Sequence, residues 1–234
     1  MRRAAVLLAA LAVPSVSTTP AQAAPKVEMM VVGRSAVLRA PKAVPLEPAR
    51  VKVGRRRCAV AAATPLAVLA RTSLKLSLRD YGACSRRPAD AGGLYVRGVA
   101  GQRERGRDGW VYKIGRSAPG SGAGDPASRL RGGNELLWFW CRSGKGGCQR
   151  TLVARPERTG ARPGESLRVT VTAYDDDGKG VPAAGATVTL GSATARSGPD
   201  GVATLTVGPE TGTLKAVATK SRLVRSFGAE VRVG

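Results

Sequence analysis

Leu136-Leu137-Trp138-Phe139-Trp140-Cys141 is the most apolar run that follows the N-terminal segment, and it sets the reading of everything around it. It is too short for a membrane span and has the length of a strand buried on both faces or edged by an aromatic cluster. Strand alternation puts Trp138 and Trp140 on one face and Phe139 on the other. Working back, Trp110 to Ile114 and Leu94 to Val99 repeat the β character, and the polar stretch Gly101 to Asp108 between them reads as a loop. Leu74, Leu76 and Leu78 alternate with Lys75, Ser77 and Arg79, which predicts a strand with one apolar and one wet face. Thr64-Pro65 is a helix start, with threonine as the cap and proline in the first turn, and Leu66, Leu69 and Ala70 fall on one face. Val27 to Val32 predicts a short strand. Pro41, Pro45 and Pro48 then mark an irregular stretch, with ordered folding resuming near Gly54.

Beyond this region the rhythm changes. Leu167 to Tyr174, Ala186 to Leu190, Val202 to Val207, Gly212 to Thr219 and Ala229 to Val233 are Val- and Thr-rich runs separated by turn residues, with no helical pattern between them. These features predict an α+β N-terminal domain with one short helix and a small mixed sheet, residues 25–154. A linker at 155–162, punctuated by Pro156 and Gly160, leads to an all-β immunoglobulin-like sandwich at 163–234.

Residues 1–24 read as a secretory signal. Arg2 and Arg3 supply the positive start, Ala4 to Val13 an apolar run too short to span a bilayer, and Ala21-Gln22-Ala23 a small-residue cleavage site near Ala23 or Ala24. No later run approaches a membrane span, so a secreted or extracytoplasmic chain without a transmembrane segment is expected. In an oxidising compartment Cys58, Cys84, Cys141 and Cys148 allow three pairings. Proximity in sequence favours Cys58 with Cys84 and Cys141 with Cys148. A four-thiolate zinc site is the alternative, although no C-x-x-C pair is present.

Charge narrows the function further. The formal net charge is +22, and residues 25–154 hold 25 basic against 8 acidic side chains, a net +17, while residues 155–234 hold 11 against 8, a net +3. Such a surface attracts polyanions with an affinity that falls as salt rises. Arginine makes up 29 of the 38 basic residues, which is also what a GC-rich coding bias produces. Histidine is absent, so Ser-His and Cys-His catalysis and His-containing zinc sites are excluded. The few carboxylates of the first domain are dispersed among arginines, which lower carboxylate pKa values and make poor general acids. No enzyme and no cofactor are expected.

The segment from Cys58 to Cys141 resembles the transcobalamin-type C-terminal domain, a module that recurs in exported bacterial proteins. The match is carried by TPLAVLAR, LYVRGVAG, DGWVYKIG, GAGD and LRGGNELLWFWC, in that order. Gly109-Trp110-Val111-Tyr112 matches the Gly-Trp-x-Tyr strand, and Gly133 to Trp138 approximates the Gly-Asp-x-Val-x-Trp element, with Asn134 in place of the acidic residue. Transcobalamins hold cobalamin between this module and a helical barrel absent here, so the resemblance implies at most a half-site. From Arg162 onward the chain resembles bacterial immunoglobulin-like and carboxypeptidase-regulatory-like modules, through Pro163-Gly-Glu-Ser166, Gly178-Lys-Gly-Val-Pro182, Gly185-Ala-Thr-Val188 and Gly198 to Ala203.

Three constellations remain. Asp175-Asp176-Asp177-Gly178 lacks the alternating ligand spacing of a calcium loop and reads as a hairpin turn. Gly115 to Asp125 lacks the Lys-Ser/Thr ending of a phosphate loop and reads as a mobile surface loop. Trp110, Tyr112, Trp138 and Trp140, beside Arg97, Arg103, Arg105 and Arg107, are the candidate ligand-binding set: exposed rings would stack on flat or sugar faces while arginine supplies charge. The expectation is an exported, non-catalytic binding or adhesion protein. Its partner would be an anionic envelope polymer or another exported protein, with no specific nucleic acid. The alternative is a component that caps a small, cobalamin-like molecule together with a separate partner.

Overall fold

The computed structural model describes residues 23–82, 84, 86 and 88–234; the expected leader lies outside that range apart from Ala23 and Ala24. The chain is mostly β, with one short α-helix and several sheets. Its first half runs β1 (Lys26–Val32), β2 (Val37–Pro45), β3 (Ala49–Val53), β4 (Arg56–Val60), α1 (Pro65–Ala70), β5 (Leu76–Asp80), β6 (Leu94–Val99), β7 (Gln102–Arg103), β8 (Gly109–Ile114) and β9 (Glu135–Cys141). The central sheet has the order β2-β1-β9-β8, with β1 parallel to β9 and the other pairs antiparallel. β3 and β4 form a separate hairpin, and β5-β6-β7 a three-stranded sheet.

The proline-rich stretch is not irregular: it carries β2 and β3. β2 is an edge strand, where a residue lacking an N–H is tolerated, and Pro41 falls at the break in register between Met29↔Lys42 and Val31↔Arg39. The helix starts as its sequence predicts. The Ala67 N–H donates to Thr64 Oγ1 at 3.3 Å, and Pro65 through Leu69 are all buried, so α1 is a core element without a wet face. The β5–β6 ladder has a bulge at Arg97 of β6, opposite Ser77 and Leu78, and Leu74, Leu76 and Leu78 pack half-buried against the first core.

The second half comprises β10 (Thr151–Pro156), β11 (Gly160–Ala161), β12 (Ser166–Tyr174), β13 (Gly180–Pro182), β14 (Thr187–Leu190), β15 (Ala193–Arg196), β16 (Val202–Thr206), β17 (Gly212–Thr219) and β18 (Ala229–Val233). One sheet joins β10-β12-β13, with β16 on the free side of β12; the other has the order β11-β18-β17-β14-β15. Residues 155–162, read above as a linker, hold the end of β10 and all of β11. Thr151 to Ala154, placed above in the first domain, pair with β12. β12 shows why the sheets close on each other: Leu167, Val169, Val171 and Ala173 are buried while Arg168 and Thr170 face water. These residues share one cluster with Val188, Leu190, Ala216, Ala218, Val231 and Val233 of the opposite sheet.

The two halves meet across the central sheet. One face of that sheet, with Met29, Val31, Leu136, Trp138 and Trp140, joins the first core. The other, with Met30, Leu137, Phe139 and Cys141, packs with Val224, against which Phe227 is also seated. On β8 the Lys113 side chain is fully buried. Its ammonium donates to Asp175 O at 2.7 Å, Tyr174 O at 3.2 Å and Thr151 Oγ1 at 3.4 Å, which uses its three protons. Asp176 Oδ1 stands 3.3 Å away as the counter-charge, acting through Coulomb attraction rather than a fourth hydrogen bond.

Burial pushes the Lys113 pKa below its ordinary value of 10.5, and Asp176 and Asp175 offset only part of that. The folded state therefore releases this proton at lower pH than the unfolded chain does, so stability rises with pH between the lowered folded value and 10.5. Lys113→Ala should destabilise the protein by about 3 kcal/mol at neutral pH, the low end for breaking a buried pair because Asp176 keeps partial contact with water. Urea unfolding should show the gap between the two proteins widening as pH rises toward 10.5, and a narrowing gap would contradict the assignment.

Candidate functional site

The aromatic set does not form a contact surface. Trp110, Tyr112, Trp138 and Trp140 are each at most 7% exposed and lie together on the inner face of β8 and β9. Trp110 pairs with Trp140 across the ladder, their rings edge to face at 5.8 Å, and Tyr112 pairs with Trp138 at 5.2 Å. Their polar ends point to protein: Trp110 Nε1 donates to Gln102 O at 2.6 Å, and the Tyr112 hydroxyl meets Ser121 O and Ser128 Oγ. The alternation of Trp138 and Trp140 against Phe139 is as predicted, but each face is covered, one by the first core and the other by the second half of the chain.

The arginines predicted beside them part company. Arg97 Nε is paired with Glu104 at 2.7 Å. Arg105 and Arg107 are exposed in the turn before β8, where Arg105 makes a backbone bridge with Asp108. Arg103 is exposed and reaches across β6 to Ser77 Oγ at 3.3 Å. Gly98 makes that crossing possible, since a Cβ there would sit 3.1 Å from Arg103 Cγ. The exposed rings are ones that sequence reasoning passed over. Tyr81 is 68% exposed and Tyr95 37%, their centroids 6.2 Å apart, with the Arg79 guanidinium 5.3 Å from the Tyr81 ring. Arg79 and Tyr95 are register partners on β5 and β6.

Beside this sheet stands the β3–β4 hairpin. Val51 and Cys58 are opposite one another and buried, so Arg50, Lys52 and Arg57 turn to the outer face, while Arg55 in the turn and Arg56 beside it are exposed at the hairpin tip. Lys52 and Arg57 are direct cross-strand partners, a like-charge pairing that is itself unfavourable. Among the described residues no carboxylate lies within 4.0 Å of any of these five cations. The Cys58–Cys84 disulfide ties the hairpin to the turn after β5, where Asp80 accepts from the Gly82 and Cys84 N–H groups. Closing a loop of this length contributes about 3 kcal/mol by chain entropy, enough to offset the repulsion on the outer face. Between hairpin and sheet runs an open groove of about 580 Å³ lined by Lys52, Lys75, Ser77, Leu78, Gly98 and Arg103, again with no carboxylate.

The other constellations serve the fold. Asp175 closes the β12–β13 turn by accepting from the Lys179 N–H, and it pairs with Arg150. Asp176 accepts from the Cys148 N–H and faces Lys113. The loop from Gly115 to Asp125 is hydrogen-bonded along its length rather than free: the Ala118 N–H donates to Asp176 O, Ser121 O accepts from Tyr112, and Ala123 O accepts from the Leu66 N–H. Cys141 and Cys148 form the second disulfide, so both bonds follow proximity in sequence. No protein-family model, curated protein or solved structure matches the chain.

Trp140→Ala should cost about 3–5 kcal/mol of stability in urea unfolding, the signature of a core aromatic; a near-neutral effect would return the ring to the surface. Arg57→Thr should raise stability by about 0.2–1 kcal/mol by removing the repulsion against Lys52, with the gain shrinking as salt is added.

Proposed function

We propose that this protein is an exported, non-catalytic binding protein that holds an anionic polymer of the cell envelope on the face formed by the β3–β4 hairpin and the β5-β6-β7 sheet. The observation that carries the reading is the uncompensated charge of that face. Arg50, Lys52, Arg55, Arg56 and Arg57 on the hairpin and Lys75 and Arg103 across the groove have no carboxylate partner among the described residues. A polymer of repeating anions would relieve the Lys52–Arg57 repulsion and follow the open groove, while Tyr95 on β6 and Tyr81 after β5 offer exposed rings further along the same sheet.

Export is part of the proposal and is supported by the N-terminal sequence and by two disulfides, which persist in oxidising compartments. Non-catalytic action is supported by the absence of histidine from the sequence and by the position of the one carboxyl group, among the described residues, whose pKa is raised. Glu135 is raised by burial and then by Glu28, and it lies at the junction of the two halves, away from the groove. In this reading the first half is a transcobalamin-type domain working without a helical partner, and the second an immunoglobulin-like sandwich that braces it.

Binding to purified poly(glycerol phosphate), followed across a salt series, tests the proposal. Affinity should fall steeply with salt, and the combination Lys52→Glu, Arg57→Glu and Arg103→Glu should weaken it about tenfold or more with an unchanged circular dichroism spectrum. Salt-independent binding, or equal binding by the folded triple variant, would overturn it.

A further inference from the structure

A second basic feature lies where the two halves meet. Its walls come from the β1–β2 turn, the residues after β9, and the segment between β17 and β18. They enclose a cleft of about 380 Å³ lined by Arg34, Arg142, Arg222 and Arg225 together with Trp140 and Gln149. No carboxylate lines it, and among the described residues none lies within 4.0 Å of any of the four guanidiniums. Four like charges gathered on one cleft without a counter-charge repel one another, and because Arg34, Arg142 and Arg222 are exposed, solvent screens part of that repulsion.

The arginines are held in place by contacts that leave donors over. The Arg34 guanidinium lies 4.1 Å from the Trp140 ring centroid and gives one Nη to Arg103 O. Arg142 gives one Nη to Arg34 O at 2.7 Å, and its N–H donates to Gln149 Oε1, while Gln149 Nε2 donates to Trp140 O. Arg225 Nε is shielded from solvent and has no hydrogen-bond partner. Arg222 holds a left-handed backbone, φ +63°, a conformation that an arginine seldom adopts and glycine adopts freely. The segment carrying Arg222 and Arg225 is fixed on the first strand of the second half by Val224 N–H to Arg150 O at 3.0 Å and Leu152 N–H to Val224 O at 2.8 Å.

From this arrangement we infer that the cleft binds a diphosphate group. Guanidinium forks match phosphoryl oxygens in pairs. A diphosphate presents two sets of phosphoryl oxygens and more negative charge than a single phosphoryl group, so it can engage more of the four arginines at once. The volume suits a small ligand, and the Trp140 ring, already covered by Arg34, leaves no free aromatic face for a base or sugar. The site shares no side chain with the polymer-binding face, which it adjoins where Arg34 rests on the Arg103 carbonyl, and it does not depend on that reading.

Calorimetric titration of the whole protein with inorganic pyrophosphate, with a diphosphate monoester, and with sulfate as the comparator tests the inference. Pyrophosphate should bind one to one and tighter than sulfate, and should raise the thermal unfolding midpoint because it bridges both halves. A tighter ester would show that the diphosphate is presented as part of a larger molecule. Arg142→Gln and Arg222→Gly should each weaken binding about tenfold or more, the loss of a charge-assisted hydrogen bond. The second substitution removes a guanidinium at a position whose backbone glycine accepts, which separates binding from folding. Neither should alter poly(glycerol phosphate) binding, and the hairpin triple variant should keep its affinity for pyrophosphate. Pyrophosphate bound no tighter than sulfate, or equally by the folded Arg222→Gly protein, would overturn the inference.

Discussion

A strand with large apolar side chains on both faces needs two covers, and β9 has both. Trp138 and Trp140 point into the core of the first half, whereas Leu137, Phe139 and Cys141, flanked by Met30, Val32 and Val111 on the other face of the same sheet, pack against residues of the second half. Val224 and Phe227 form that second cover. This demand makes the central sheet the common wall of the two halves. It also explains the position of Lys113, since a lysine on the outer face of β8 is buried by the second half as that half docks. The docked half supplies its own oxygens in return, through Thr151 Oγ1, the carbonyls of Tyr174 and Asp175, and the Asp176 carboxylate. The Asp175–Asp177 run is therefore a receptor for a buried cation, which is why it has a turn's geometry without a cation loop's spacing.

The charge of the molecule is arranged as well as abundant. A coding bias toward arginine would scatter guanidiniums and leave the nearby carboxylates to pair with them, as Arg71 with Glu47 and Arg97 with Glu104 do. The hairpin and the junction cleft depart from that pattern, because each gathers cations and excludes acids. They also differ from each other. The hairpin presents its cations on one outer strand face, whereas the cleft gathers its arginines from three segments at the junction; Arg34, Arg142 and Arg222 are exposed there, so salt screens both fields.

Reading strands from alternation worked where the sheet has one wet and one dry face. β12, β17 and β18 were visible for that reason, and the Thr64 cap marked α1. β2 and β3 were not visible, because prolines and charges outweigh the short apolar alternation when the strand is at an edge or in a two-stranded hairpin. β10 was divided between the first domain and a linker because its last residue, Pro156, reads as punctuation, although Thr151 to Ala154 are mostly buried against the second core. Of the predicted binding residues, Arg103 lines the groove. The tryptophans were misplaced because a sequence shows that a ring lies on a given face and cannot show what covers that face.

Short strands through both halves, the helix start and the concentration of positive charge in the first half were legible in the residues alone, and proximity favoured the two disulfides that form among three possible pairings. All of these follow from local chemistry: side-chain alternation, capping, proximity of cysteines and a count of charges. Only the tertiary structure decided which charges act together. Lys52 and Arg57 become neighbours through hairpin register, and Lys75 and Arg103 through the packing of a second sheet beside it. Arg34 and Arg225 share one cleft although most of the chain separates them. Coulomb interactions depend on distance in space, and distance in space is fixed here by the two-sided burial of β9, which no local pattern of residues records.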